Sequence, residues 1–121
     1  GFIPKTHCGD GDPLDVFVLC SQPIEKMSLV RCYPIGVIIM KDGGKLDEKI
    51  IAVPFTDPMY NSYHDISELP SHLYEMMVHF FSVYKNLENG KGVEVDGVYG
   101  PDRAKEIIAE CIDNYIESFC R

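Results

Sequence analysis

Two stripes of apolar residues at helical spacing, both in the second half of the chain, constrain the fold more than any other feature. From Pro70 onward the apolar positions are Leu73, Met76, Met77, Phe80, Phe81, Tyr84 and Leu87. This is the i, i+3, i+4, i+7 series that lays one face of a helix against a core. "ENG", residues 88–90, supplies a glycine stop. The second stripe, Ala104, Ile107, Ile108, Cys111, Ile112, Tyr115 and Phe119, follows Gly100 and Pro101. Proline there fits the first helical position, and Asp102 complements the positive start of the helix. Each helix needs a surface on which to bury its stripe, and the first half of the chain offers strands.

Residues 15–20 (DVFVLC) are β-branched and apolar, and the run is too short for a helix. Residues 29–40 (LVRCYPIGVIIM) form a second strand region, broken or bulged near Pro34 and Gly36. "KDGG" at residues 41–44 reads as a turn, residues 49–53 (KIIAV) as a returning strand, and residues 54–66 as a loop rich in Pro, Asp, Tyr and Asn. Between the helices, residues 91–99 (KGVEVDGVY) alternate as a strand does. The expectation is one α+β domain over residues 1–121, with no internal repeat or linker; 121 residues suit a single core.

The charge balance, 11 basic against 19 acidic residues for a net −8, argues against nucleic acid or an anionic membrane as partner. No apolar run approaches the roughly 20 residues of a membrane span. The chain opens on Gly1 rather than Met, without the basic and apolar regions of a signal peptide, so its natural start is expected elsewhere. The five cysteines, Cys8, Cys20, Cys32, Cys111 and Cys120, form no CxxC. That favours small, buried, reduced side chains over a zinc site, and hence a reducing setting, cytoplasmic or an organelle kept reducing.

The chemistry concentrates in "HCGDGDPLDVFVLC", residues 7–20, where Asp10, Asp12 and Asp15 crowd together ahead of an apolar strand. Gly9, Gly11 and Pro13 hold them in a turn, and Asp15 shares a strand face with Phe17, pointing back toward that turn. Hard oxygen ligands converging in this way suit Mg²⁺ or Mn²⁺, the alternative being a solvated acidic turn. A calcium EF-hand loop does not fit, because Leu14 and Asp15 occupy its fifth and sixth positions. A second acidic group, Asp42, Asp47 and Glu48, is followed at once by Lys49 at the start of an apolar strand. By itself it is an ordinary hairpin turn, but a lysine beside carboxylates can hold a phosphate that a metal also bridges. Tyr84-Lys85 on the first helix is a third candidate, although Tyr84 belongs to the apolar stripe and so also reads as core. His7, His64, His72 and His79 share no ligand spacing, and Ser21 and Ser28 lack a nucleophile elbow. Two carboxylate groups able to hold more than one metal point to a metal-dependent phosphohydrolase of unspecified substrate.

"GDGDPLDVFVL" closely resembles the signature of the family I soluble inorganic pyrophosphatases. "GFIPKT" resembles the lead-in to that motif, "PIGVIIMKDGGKLDEKIIAVP" the family's second acidic hairpin, and "HFFSVYKNLENGK" its helix with a substrate-binding Tyr-Lys pair. The resemblance implies a small five-stranded β-barrel of OB type with two C-terminal helices packed outside. It also implies hydrolysis of pyrophosphate to two orthophosphates by a homo-oligomer using several Mg²⁺ ions, with Mn²⁺ or Zn²⁺ as substitutes. Asp10, Asp15, Asp42 and Asp47 would be metal ligands, Asp12 the base, and Lys49, Tyr84 and Lys85 the phosphate-binding groups. Members of the family carry a further N-terminal stretch that supplies barrel strands and site residues. This chain, with about four strand segments, would leave the barrel incomplete. The alternative is therefore a truncated, non-catalytic homologue that binds Mg²⁺ and phosphate.

Overall fold

The computed structural model describes residues 1–9, 11–42, 45–89 and 94–120, with the side chains of residues 42, 45, 84–89 and 94 left aside. Its strands are β1 (Phe2–Ile3), β2 (Leu14–Val18), β3 (Cys32–Asp42), β4 (Lys45–Pro54) and β5 (Glu94–Tyr99). The helices are α1 (Ser71–Asn89) and α2 (Pro101–Phe119), with a 3-10 turn at Ile66–Glu68 ahead of α1. The strands form one sheet in the order β1-β2-β4-β3-β5. β2 runs parallel to β4, and the other three pairings are antiparallel.

Both faces of this sheet are buried at its centre, which is why residues 35–40 of β3 and 50–53 of β4 read as apolar runs without alternation. On one face Ile38, Met40, Ile51 and Val53 pack with Met77 and Phe81 of α1 and with Ile66 and Leu69 around the 3-10 turn. On the other, Leu14, Val37, Ile39 and Ile50 pack with Ala104, Ile107 and Cys111 of α2. Each fully buried aliphatic side chain contributes roughly 1.5–3 kcal/mol relative to exposure. Phe17 stands on the α1 face, its ring 5.4 Å from that of Phe81 in an edge-on arrangement.

β3 changes face at a bulge. Pro34 pairs with Ala52 and Gly36 with Ile51, so Ile35 is an extra residue in the ladder. Strict alternation would group Ile35 with Val37, yet Ile35 joins the α1-side core with Ile38 and Met40. The interruption expected near Pro34 and Gly36 is thus a bulge within one long strand.

The barrel left incomplete by this chain is an open sheet: β1 and β5 are its two edges and do not pair with each other among the described residues. Two expectations are corrected. Five strands are present rather than about four, because the two-residue β1 is too short to leave a periodic signature. Of the cysteines, Cys111 alone is fully buried; Cys8, Cys20 and Cys32 are half-buried and Cys120 is exposed. α1 and α2 begin within a residue of the expected starts, and no described helix is long and apolar enough to cross a membrane.

Candidate active site

The acidic turn is built by local hydrogen bonds. Cys8 N–H donates to the Asp12 carbonyl at 2.9 Å, and Gly11 N–H donates to the Cys8 carbonyl at 3.0 Å. Gly11 sits at φ +87°, a backbone conformation that any side chain would strain. A buried threonine fixes where the strand starts. Thr6 Oγ1 donates to the Ile3 carbonyl at 2.5 Å and accepts the Leu14 N–H at 2.9 Å. With Leu14 pinned, Asp15 becomes the second residue of β2 and takes the opposite face to the buried Leu14.

The parallel register then sets Asp15 directly beside Lys49. Asp47 and Lys49 are two residues apart on β4 and share a face, so three chemistry-bearing side chains meet. Lys49 Nζ lies 2.5 Å from Asp15 Oδ2 and 3.2 Å from Asp47 Oδ2. Exposure is graded: the side chain of Lys49 is 8% exposed, that of Asp47 14% and that of Asp15 52%. One buried ammonium therefore serves two carboxylates, one enclosed and one facing solvent. A cleft of about 470 Å³ opens over this group, with Cys8, Asp15, Asp47, Glu48 and Glu110 among its lining residues. Four carboxylates in one concave site repel each other unless cations enter.

Asp15, Asp47 and Lys49 are thus brought together from motifs 32 residues apart. Asp12 stands exposed in the adjoining turn. Asp10 lies outside the described residues, as do the side chains of Asp42, Tyr84 and Lys85; the backbone places the last two in α1. No group of three described His, Cys, Asp or Glu residues is close enough to hold a metal. Two described carboxylates with an ammonium between them are hard, anionic donors and fit Mg²⁺, provided further ligands come from beyond the described side chains. Sequence reasoning missed Thr6, Cys8 and Glu110. Thr6 acts through local hydrogen bonding, and Glu110 reaches the cleft because α2 packs across the sheet face that carries Leu14, Val37 and Ile39.

An open mixed sheet with a helix on each face, and with carboxylates gathered around a buried lysine of β4, defines an α+β protein with an acidic cleft. The family model described as "Inorganic pyrophosphatase" matches residues 1–116, and the chain belongs to that family. It is 45% identical over 118 residues to an inorganic pyrophosphatase of Xanthomonas axonopodis pv. citri, covering 95% of this chain and 66% of the relative. To soluble inorganic pyrophosphatase 2 of Chlamydomonas reinhardtii it is 44% identical over 119 residues, covering 98% and 62%. The structure of the Helicobacter pylori inorganic pyrophosphatase superposes with a TM-score of 0.87 at 37% identity, over 95% of this chain and 69% of that one. The chain thus spans about two thirds of the length of the curated relatives it matches.

Proposed function

We propose that this chain carries the metal-binding part of a Mg²⁺-dependent site that hydrolyses pyrophosphate to two orthophosphates. The observation that carries the reading is Lys49, held 2.5 Å from Asp15 and 3.2 Å from Asp47 at the edge of an acidic cleft. Family membership supports it. Asp10, Asp15, Asp42 and Asp47 would hold the cations. Divalent cations in such a site neutralise phosphate oxygens and make water a better nucleophile at neutral pH.

The protein's own residues do the rest. Asp12, exposed in the turn whose Gly9 and Pro13 line the cleft, would accept the proton of the attacking water, a role that contributes on the order of 10²–10⁴ in rate. Lys49, now held against Asp15 and Asp47, would offer its ammonium to a phosphate oxygen, and Tyr84 and Lys85 would bind further oxygens. Charge-assisted contacts of this kind are the stronger class of hydrogen bond. Homo-oligomeric assembly and a cytoplasmic location belong to the same reading.

Phosphate release from pyrophosphate by the full-length protein, measured across a Mg²⁺ titration beside Asp12→Asn, tests it. Mg²⁺-dependent release that falls at least about 100-fold in the variant is expected. Mg²⁺ binding without release would replace hydrolysis with the reading of a metal- and phosphate-binding homologue.

A further inference from the structure

We propose that Cys8 and Cys111 form a reversible disulfide that ties the acidic turn to α2. The two Sγ atoms lie 3.3 Å apart, in direct contact with no atom between them. They come from residues 103 positions apart in sequence. Main chain fastens the same two points, because His7 N–H donates to the Cys111 carbonyl at 3.0 Å. The N-terminal segment is therefore already held against α2 at these residues, and bond formation requires the sulfurs to close by about 1.2 Å, to the roughly 2.05 Å of a disulfide.

The two thiols are unequal in access, which sets the order of events. Cys8 is half-buried and lines the cleft, whereas Cys111 is 4% exposed in the α2 core. A low-molecular-weight disulfide of the glutathione class reaches Cys8. The Cys8 sulfur, giving up its proton, attacks one sulfur of the oxidant, and its S–S bond breaks to release one thiol. The Cys111 sulfur then attacks the Cys8 sulfur of the mixed disulfide, loses its own proton and releases the second thiol. Two protein thiols are oxidised by two electrons and one small disulfide is reduced to two thiols.

The bond has leverage on the site. Cys8 N–H donates to the Asp12 carbonyl and the Cys8 carbonyl accepts Gly11 N–H, so main-chain bonds fasten Cys8 directly to Gly11 and Asp12. Cys111 is anchored with Ala104 and Ile107 in the core, so the turn is the partner that shifts. Cys20 and Cys32 are the competing pair. Burial, and after it the neighbouring Cys20, pushes the Cys32 thiol up, which disfavours the attacking thiolate there.

The test is equilibration of the full-length protein with glutathione redox buffers, followed by alkylation and peptide mapping. A peptide linking Cys8 to Cys111 is expected as the first disulfide to appear, absent in Cys8→Ser and in Cys111→Ser and removed by excess thiol. The linked form is expected to melt about 5 °C or more higher, since the bond closes a loop of about 100 residues. Its Mg²⁺ affinity, read by calorimetry, is expected to fall on the order of 10-fold. Oxidation that first links Cys20 to Cys32, or joins chains through Cys120, would overturn the pairing. Linkage with unchanged Mg²⁺ affinity would overturn the coupling to the site. Neither readout depends on turnover, so failure of the hydrolytic reading leaves both interpretable.

Discussion

At the scale of single residues, Lys49 carries the largest consequences. It is buried where the apolar interior of β4 meets two carboxylates, and its ammonium lies against both. Lys49→Met would keep the packing and leave the two anions facing each other. The expected loss is about 1–2 kcal/mol, below the value for a fully buried pair because Asp15 is half exposed to screening solvent. Urea unfolding with and without Mg²⁺ checks this: the variant should lose more stability in chelator than in saturating Mg²⁺. A deficit independent of Mg²⁺ would place the role of Lys49 in packing alone.

Asp57 is the other residue whose charge matters to the fold. Its carboxylate accepts the Ser21 N–H at 2.6 Å, the Ser21 hydroxyl and the Met59 N–H at 3.0 Å, joining the segment after β2 to the loop after β4. The Ser21 backbone bond, chiefly, holds its pKa below the usual carboxylate value. A depressed folded pKa gives stability that is present above the unfolded value of about 3.9 and lost as pH falls through the folded one. The urea midpoint of the natural protein should therefore drop below about pH 4, and Asp57→Asn should flatten that acid limb while lowering the midpoint at pH 7. Equal acid sensitivity in both would remove Asp57 from the account.

At the scale of elements, the sequence signals differ in reach. The helix starts were legible because Pro101 and Pro70 punctuate the chain locally, and the stripes of α1 and α2 repeat often enough to outweigh exceptions. The bulge in β3 was legible only as an interruption, since which core Ile35 enters depends on register with β4. Gly36 marks the place. A Cβ there would meet Cβ of Ile66 and the Tyr99 carbonyl oxygen, each at 2.7 Å, so the bulge brings β3 against both the 3-10 turn and β5. Gly36→Ala is expected to destabilise by about 1–3 kcal/mol, the range of overpacked sites, measured by thermal or urea unfolding. A melt unchanged from the natural protein would show that Ile66 can retreat freely.

At the scale of the whole molecule, a net charge of −8 and a cleft lined by four carboxylates mean that cations bound there, as proposed, would add to stability as well as to chemistry. Mg²⁺ at 100 times its dissociation constant should add about 2.7 kcal/mol to the unfolding free energy, and a chelator should remove it. Monovalent salt of equal ionic strength should reproduce only the screening part. If NaCl and MgCl₂ raise the melting temperature equally, the cleft has no specific ion site.

What the sequence by itself determined was set by short-range physics: helices where apolar residues recur every three or four positions, strands where β-branched runs are too short for helices, and an acidic turn where Gly11 permits a positive φ. The expectation that Asp15 and Asp47 share a site came from motif resemblance, because no local rule relates the two. Tertiary structure alone decided that the parallel pairing of β2 with β4 sets Asp15 beside Lys49, that the described sheet stays open, and that Cys8 touches Cys111. Those are contacts between segments tens of residues apart, and they follow from strand order and register, which are settled only when the helices bury both faces of the sheet at once.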